Sequence, residues 1–329
     1  MSFPPSIVAI GGGGGATQIL KAAEALSDRL TAVIAVTDTG RSTGVARAIG
    51  GIPAPGDLRA TIAAFATNRP LADLLQHRFD GRGLAQLEGM AFGNLMLAAM
   101  AQSSGDFAGA VEQLATLCAC TARVLPVTAA NTQLCAELAD GTCVEGELLV
   151  RGRDKPPIKR LFLSISAPAY PPVLTAIQNA DLVLLGPGSL FTTVLAALLT
   201  EGLAEALATS RARVAYFCNT TTQPGQTDGL RAYEHVRRVT QLLGTGTLDT
   251  AVINHSQYDK QAMQPYEDEG LFLLQPDAQE IMSIESLGVH TMVRELAEPI
   301  GAKRALWNKQ DTVRHSLTAL QSVLRELLS

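Results

Sequence analysis

The stretch Ile7-Val8-Ala9-Ile10-Gly11-Gly12-Gly13-Gly14-Gly15-Ala16-Thr17-Gln18-Ile19-Leu20 decides how this chain is read. Four apolar residues predict a buried strand. Consecutive glycines end it, and a helical pattern of apolar positions starts directly behind them. Glycine has no side chain to hold an anion off the backbone, so a row of amide N–H groups lies open to a phosphate. The positive end of the following helix points at the same spot. Strand, glycine loop and helix in this order predict the entry of a nucleotide-binding α/β domain.

Working outward, strands are predicted at 7–10, 32–37, 181–185, 213–218 and 248–254. Helices are predicted at 16–26, 58–67, 71–78, 94–103, 107–118, 190–199 and 230–243. This alternation predicts an α/β fold, a Rossmann-like three-layer sandwich with a mainly parallel sheet. Residues 39–57, rich in glycine and carrying Pro53-Ala54-Pro55-Gly56, read as a loop. The middle changes character. Strands are predicted at 123–127, 132–138, 142–150 and 158–165, with Asp140-Gly141 as a hairpin turn and 151–157 as a charged, exposed loop. The expected organisation is a single domain over 1–329 with an inserted β-rich lobe at about 121–166. A final amphipathic helix is expected over 312–328.

Composition narrows the function classes. The chain has 329 residues, 47% apolar and 17% charged, which is enough for a large core. A net charge of −5 and the lack of a basic, aromatic-laced stripe argue against nucleic acid as a partner. Five cysteines form no metal-binding spacing, and Cys118-Ala119-Cys120 lacks both the usual spacer and a nearby histidine. The first residues do not read as a signal peptide, and the longest apolar stretch is broken by Gly186-Pro187-Gly188-Ser189. A cytoplasmic protein with no membrane partner is expected.

The candidate site residues sit in loops behind predicted strands. Gly11-x-Gly13-x-x-Ala16 nearly fits the dinucleotide fingerprint, and Asp38 stands where a ribose hydroxyl would be bound. No Gly-Lys-Ser/Thr follows, which excludes a P-loop. Gly186, Gly188 and Ser189 repeat the device behind a second strand, with Ser189 either a helix cap or a phosphate donor. The loop 219–229 offers Asn219, Gln223 and Asp228. Asp38 and Asp57, beside Arg41 and Arg59, would suit a magnesium ion near a phosphate. Asp57 equally suits a helix cap, and Asn94 reads as a cap or a ligand contact.

Taken together and in order, these motifs resemble a known family. The glycine-rich opening, Asp38 to Gly44, Pro55-Gly56-Asp57-Leu58-Arg59, Phe92-Gly93-Asn94-Leu95, Gly186-Pro187-Gly188-Ser189 and Cys218-Asn219 with Thr222-Gln223-Pro224-Gly225 look like the YvcK-like gluconeogenesis factors. Those are relatives of CofD, the 2-phospho-L-lactate transferase. The resemblance covers about 6–260. It implies a nucleotide in the crevice, cradled by Gly12, Gly13, Gly14, Gly15, Ala16 and Thr17 and by Gly186 to Ser189. Asp38 and Asp57 would lie beside its phosphates or a metal. Arg41 and Ser42 belong to the loop that meets the phosphates, and Asn94, Asn219 and Gln223 would line the site. The family's second loop usually reads Asp-Asp-Gly-Gly-Ser-Ser-Gly, so Thr39 and Arg41 here lose a carboxylate and gain a cation. The family's C-terminal Arg-His-Asp corresponds to Lys309-Gln310-Asp311, and Tyr266 matches a family tyrosine.

Three functions follow as expectations. The first is a nucleotide-binding regulatory protein of the YvcK type, with a UDP-sugar as ligand and a link to carbon allocation and cell-wall synthesis. The second is a magnesium-dependent transferase of the CofD type, in which Asp38 and Asp57 would be catalytic and a guanosine-diphosphate carrier would be the donor. The third is an NAD-dependent enzyme, which the first loop plus Asp38 also suits. The expected assembly is a homo-oligomer, a dimer.

Overall fold

The computed structural model describes residues 3–298 and 313–329. Seven strands form one sheet, and every pairing in it is parallel: β1 (Ile7–Gly11), β2 (Leu30–Ile34), β3 (Arg123–Pro126), β7 (Leu182–Leu185), β8 (Arg213–Phe217), β9 (Thr250–Asn254) and β10 (His290–Arg294). Their order is β10-β9-β8-β7-β1-β2-β3. The central strands are buried along their whole length, as sheets covered on both faces require. Their sequences are accordingly dominated by Val, Ile, Leu and Ala. A smaller antiparallel sheet, β5-β4-β6, comprises β4 (Leu134–Leu138), β5 (Cys143–Glu145) and β6 (Ile158–Leu163).

The strand order places the site. The chain runs outward from β1 through β2 to β3, then returns to the other side of β1 at β7 and runs outward again. β1 and β7 are therefore hydrogen-bonded neighbours at the point where the winding reverses. A crevice opens there beyond the carboxyl ends of the two strands. Both glycine-rich loops leave from those ends.

Several local expectations change. α1 (Gly13–Ala23) starts inside the glycine run, three residues before the predicted start. The supposed loop 39–57 contains α2 (Arg41–Gly50), which ends on Gly51 in the left-handed conformation. α3 (Gly56–Phe65) and α4 (Arg69–Gln76) follow, then α5 (Phe92–Ser104) and α6 (Phe107–Leu117). β3, expected in the inserted lobe, is the edge strand of the main sheet beside β2. The small sheet therefore runs from β4 to β6. The strand expected over 142–150 stops at Glu145. Gly146 turns the backbone at φ +93°, and α7 (Glu147–Arg151) takes over, joined end to end by a Glu147–Arg151 ion pair of 3.3 Å. Beyond Asn254 the chain adds helices Lys260–Asp268 and Ala278–Glu285 before β10. The last helix, Leu317–Leu328, packs on α1; Thr312, its predicted first residue, lies outside the described residues.

Candidate functional site

The glycine run divides its work. Gly12 is extended and leads into the first turn of α1. A Cβ on Gly13 would stand 2.8–2.9 Å from the backbone and Cβ of Asp57, and one on Gly15 would fall inside the Pro187 carbonyl. These two glycines let α1 touch the loops behind it. Gly14 alone faces open space, with nothing within 4 Å of an added Cβ. Asp57 does not cap its own helix. It sits one residue into α3, whose cap position is Pro55, and its Oδ2 accepts the Gly13 amide at 2.8 Å. Asp57 thus caps α1, from a different helix, and one amide of the expected anion cradle already carries a carboxylate.

A cavity of ≈ 500 Å³ fills the crevice. Gly14, Gly15 and Thr17 form one wall, and Pro187, Gly188 and Ser189 form the facing one. Asn219 and Gln223 close one side, while Lys21 and the segment at Arg314 and His315 close the other. Asn219 and Gln223 are 7% and 9% exposed, yet among the described residues the Asn219 Oδ1 and Gln223 Oε1 accept no hydrogen bond. Buried amide oxygens of this kind normally have donors. Asp228 is turned away from this use: it accepts the Gly225 amide at 2.7 Å and shapes its own loop.

Beside this cavity, and sharing Ser189 and Gln223 with it, lies a smaller hollow of ≈ 160 Å³. Here Asp38 and Asp57 come together, with Glu147 and Arg151 from the inserted lobe and Gln226 from the third loop. Asp38 accepts the Gly40 amide at 2.8 Å. Arg47 clamps the same turn, donating to the Asp38 carbonyl at 3.2 Å and the Thr132 carbonyl at 2.7 Å. Burial lowers the Arg47 pKa, and the nearby Asp38 charge offsets part of this. Among the described residues no group of three or more His, Cys, Asp or Glu side chains is placed to hold a metal. The two carboxylates do suit magnesium in donor class, because that ion binds one or two carboxylates and keeps its waters and substrate phosphates.

Ser42 and Asn94 are not in either lining. The Asn94 amide donates to Ser42 Oγ at 3.0 Å, and Arg59 Nε donates to Asn94 Oδ1 at 3.2 Å. Arg59 also donates to Gln76, and Ser42 Oγ accepts the Ala91 amide at 2.9 Å. This buried network binds α2, α3, α4 and α5 together, and burial pushes Arg59 down to about 10. Asn94 is therefore neither a cap nor a lining residue. Arg41 starts α2. Tyr266 lies in helix Lys260–Asp268, away from both linings, and residues 309–311 lie outside the described residues.

Sequence reading missed Thr37, Glu147, Arg151, Gln226 and His315. None carries a local signature, since each reaches the crevice only through tertiary contacts. The wall at His315 is tied down by Gln18, which donates to its carbonyl, and by Thr220, which donates to the Val313 carbonyl. Burial pushes the His315 imidazole down to about 4. A larger groove of ≈ 700 Å³ lies at the opposite, amino ends of the strands, where open parallel sheets do not place their ligands. Burial pushes the Cys120 thiol up to about 12, as suits a packing cysteine. No helix among the described residues is long and apolar enough to cross a membrane.

Comparison with known proteins agrees with this architecture. A family model described as 2-phospho-L-lactate transferase CofD matches residues 7–297. The gluconeogenesis factor of Bacillus subtilis is 33% identical over 330 residues, covering 100% of this chain and 99% of its own length. A Clostridium acetobutylicum relative, provisionally named a gluconeogenesis factor, is 38% identical over 286 residues and 85% of this chain. The match spans only 62% of that longer relative. The solved structure of a UPF0052-family member from Bacillus halodurans superposes with a TM-score of 0.87 at 31% identity, covering 100% of both chains.

Proposed function

The chain belongs to the CofD-like family, in its gluconeogenesis-factor branch, and on that premise we propose that it is a nucleotide-binding regulatory protein whose ligand is a UDP-sugar. The observation that carries this reading is the ≈ 500 Å³ cavity at the β1/β7 switch point, walled by two glycine-rich loops. The open approach at Gly14 and the loop at Gly188 and Ser189 receive the diphosphate through backbone amides. The oxygens of Asn219 and Gln223, which have no donor among the described residues, accept from ribose hydroxyls or base N–H groups. Asp38 and Asp57 each accept a loop amide, so they hold the loops in shape without any reaction.

The carboxylate-lined hollow favours one second reading, a CofD-type transferase. In that case Asp38 and Asp57 would hold magnesium, which supplies charge neutralisation at a diphosphate leaving group. A thermal-shift panel of UDP-GlcNAc, UDP-glucose, GDP, GTP and NAD, with and without magnesium, separates the readings. A ligand at 100 times its Kd adds about 2.7 kcal/mol of stability. The expected result is a metal-independent shift with a UDP-sugar. A shift confined to a guanine nucleotide with magnesium moves the assignment to the transferase. A shift confined to NAD overturns both.

A further inference from the structure

The charged segment 151–157 of the inserted lobe is not exposed throughout. Arg153 and Asp154 face solvent, but Lys155 is half-buried, and its Nζ donates to the Gly225 carbonyl in the third loop. Two local features aim it there. Asp154 takes φ +55°, a left-handed conformation that aspartate tolerates better than most residues. Pro156 and Pro157 then restrict the backbone that follows. Burial lowers the Lys155 pKa, and the charge of Asp228 offsets part of this. An ammonium half removed from water needs a compensating acceptor, and here that acceptor is a loop carbonyl.

Gly225 is gripped on three sides. Its amide donates to Asp228 Oδ2 at 2.7 Å, and its carbonyl accepts from Lys155. Its Cα packs on the lobe at φ +79°, where an added Cβ would stand 2.8 Å from the Arg151 carbonyl oxygen and closer still to that of Gly152. The turn around it is tied into one piece. The Gln226 and Thr227 amides donate to the Gln223 carbonyl at 3.0 and 2.9 Å, and the Gln223 amide donates to Thr227 Oγ1 at 2.7 Å. A shift of Gly225 therefore carries Gln223 and Gln226 with it. Gln223 lines both the crevice and the neighbouring hollow, and Gln226 lines the hollow.

The lobe that holds this turn is itself fixed. Arg47 ties its root by donating to the Thr132 and Asp38 carbonyls, and Glu147 pairs with Arg151 at the hollow. A frame secured at the second loop thus reaches the third.

We propose that Lys155 is a positioning residue for the crevice: by holding the Gly225 carbonyl it sets where Gln223 and Gln226 stand, and so makes the inserted lobe part of the site's machinery. Lys155 lines neither cavity, so it acts through the turn and not by touching a ligand. Its effect on binding rests on the nucleotide-sugar reading above, and its effect on the turn does not.

Two measurements on the full chain test it. Hydrogen exchange of the ligand-free protein reads the turn directly. In Lys155→Met the amides of Gly225, Gln226 and Thr227 should exchange at least about tenfold faster, with the melting temperature near that of the wild type. Isothermal titration with UDP-GlcNAc reads the site. Lys155→Met should bind about tenfold more weakly, the factor of one ordinary hydrogen bond, and Lys155→Arg, which keeps a charged donor, should recover most of the loss. Gln223→Ala should cost about tenfold in the wild type but less than about threefold in Lys155→Met, because the turn is already displaced there. Wild-type affinity in Lys155→Met, or full additivity with Gln223→Ala, overturns the positioning role and leaves the nucleotide-sugar reading standing. Failure of UDP-GlcNAc to bind the wild type overturns that reading instead, and unchanged exchange in Lys155→Met then decides separately against the clamp.

Discussion

The two glycine-rich loops face each other across one crevice but use glycine for different ends. In the first loop, Gly13 and Gly15 are close-approach residues, and Gly14 is the one where an added side chain would meet open space. In the second, Gly186 takes a backbone conformation at φ +75° that suits glycine, and the chemistry passes to Ser189. Ser189 accepts the Thr192 amide at 3.3 Å and donates to Gln226 at 2.8 Å. The lesson is that a glycine run is not a uniform anion cradle. Its members split between packing and access, and tertiary neighbours decide which does which. One amide of the first loop is even occupied by Asp57.

The strongest way to break this comparison is Gly15→Ala. The added methyl collides with the Pro187 carbonyl, a backbone atom that cannot swing aside. Overpacking typically costs about 1–3 kcal/mol and occasionally more, and a backbone clash belongs at or above the upper end. Urea denaturation should show a loss of about 3 kcal/mol or more, or no folded protein at all. A wild-type midpoint would mean the two loops do not touch.

Acid offers the next test, because the cavity wall that α1 ties down through Gln18 carries a buried histidine. His315 is neutral in the fold, held near 4 by burial against an ordinary value of 6.5. Its folded pKa is the lower one, so stability is full above 6.5 and falls as pH drops toward 4, where the unfolded chain takes up a proton the fold refuses. At pH 5 this amounts to about 2 kcal/mol. His235, also buried and held near 4, adds a loss of the same sign. Melting curves at pH 7 and pH 5 should therefore differ, and His315→Asn should shrink the difference. An unchanged difference in that variant would remove His315 from the closure of the first loop.

The smallest change sharpens the comparison most. Gly14→Ala puts a methyl into open space within the first turn of α1, where alanine is favoured by up to about 1 kcal/mol. Stability should hold or rise slightly while UDP-sugar affinity falls by about tenfold. Unaltered affinity would take the first loop out of phosphate binding. Gly13 cannot serve this purpose, since any side chain there meets Asp57 first.

The strand, glycine and helix signals at 7–20 and 181–189 were legible because each is local. A continuous apolar run reads as a covered strand, and a glycine break reads as a turn, without knowledge of neighbours. α2 was hidden because Gly44 and Gly50 mimic a loop in one dimension. In three, Gly44 is pressed against the Thr39 carbonyl and Gly50 against Ile52 and Ala98, so packing overrides propensity. Asn94 and Ser42 looked like site residues because polar groups near helix starts often are. Only the fold revealed that Arg59 needs them as buried partners.

By itself, then, the sequence determined the α/β class, the loops at the carboxyl ends of β1 and β7, and the family, since all three depend on composition and order along the chain. The tertiary structure decided the rest. It joined Asp57 to Gly13 across 44 positions and brought Thr37 and Gln226 into one hollow. It also set His315 as a wall of the cavity. A side chain's role is set by the groups within hydrogen-bonding reach, and chain order does not specify which distant segments those will be.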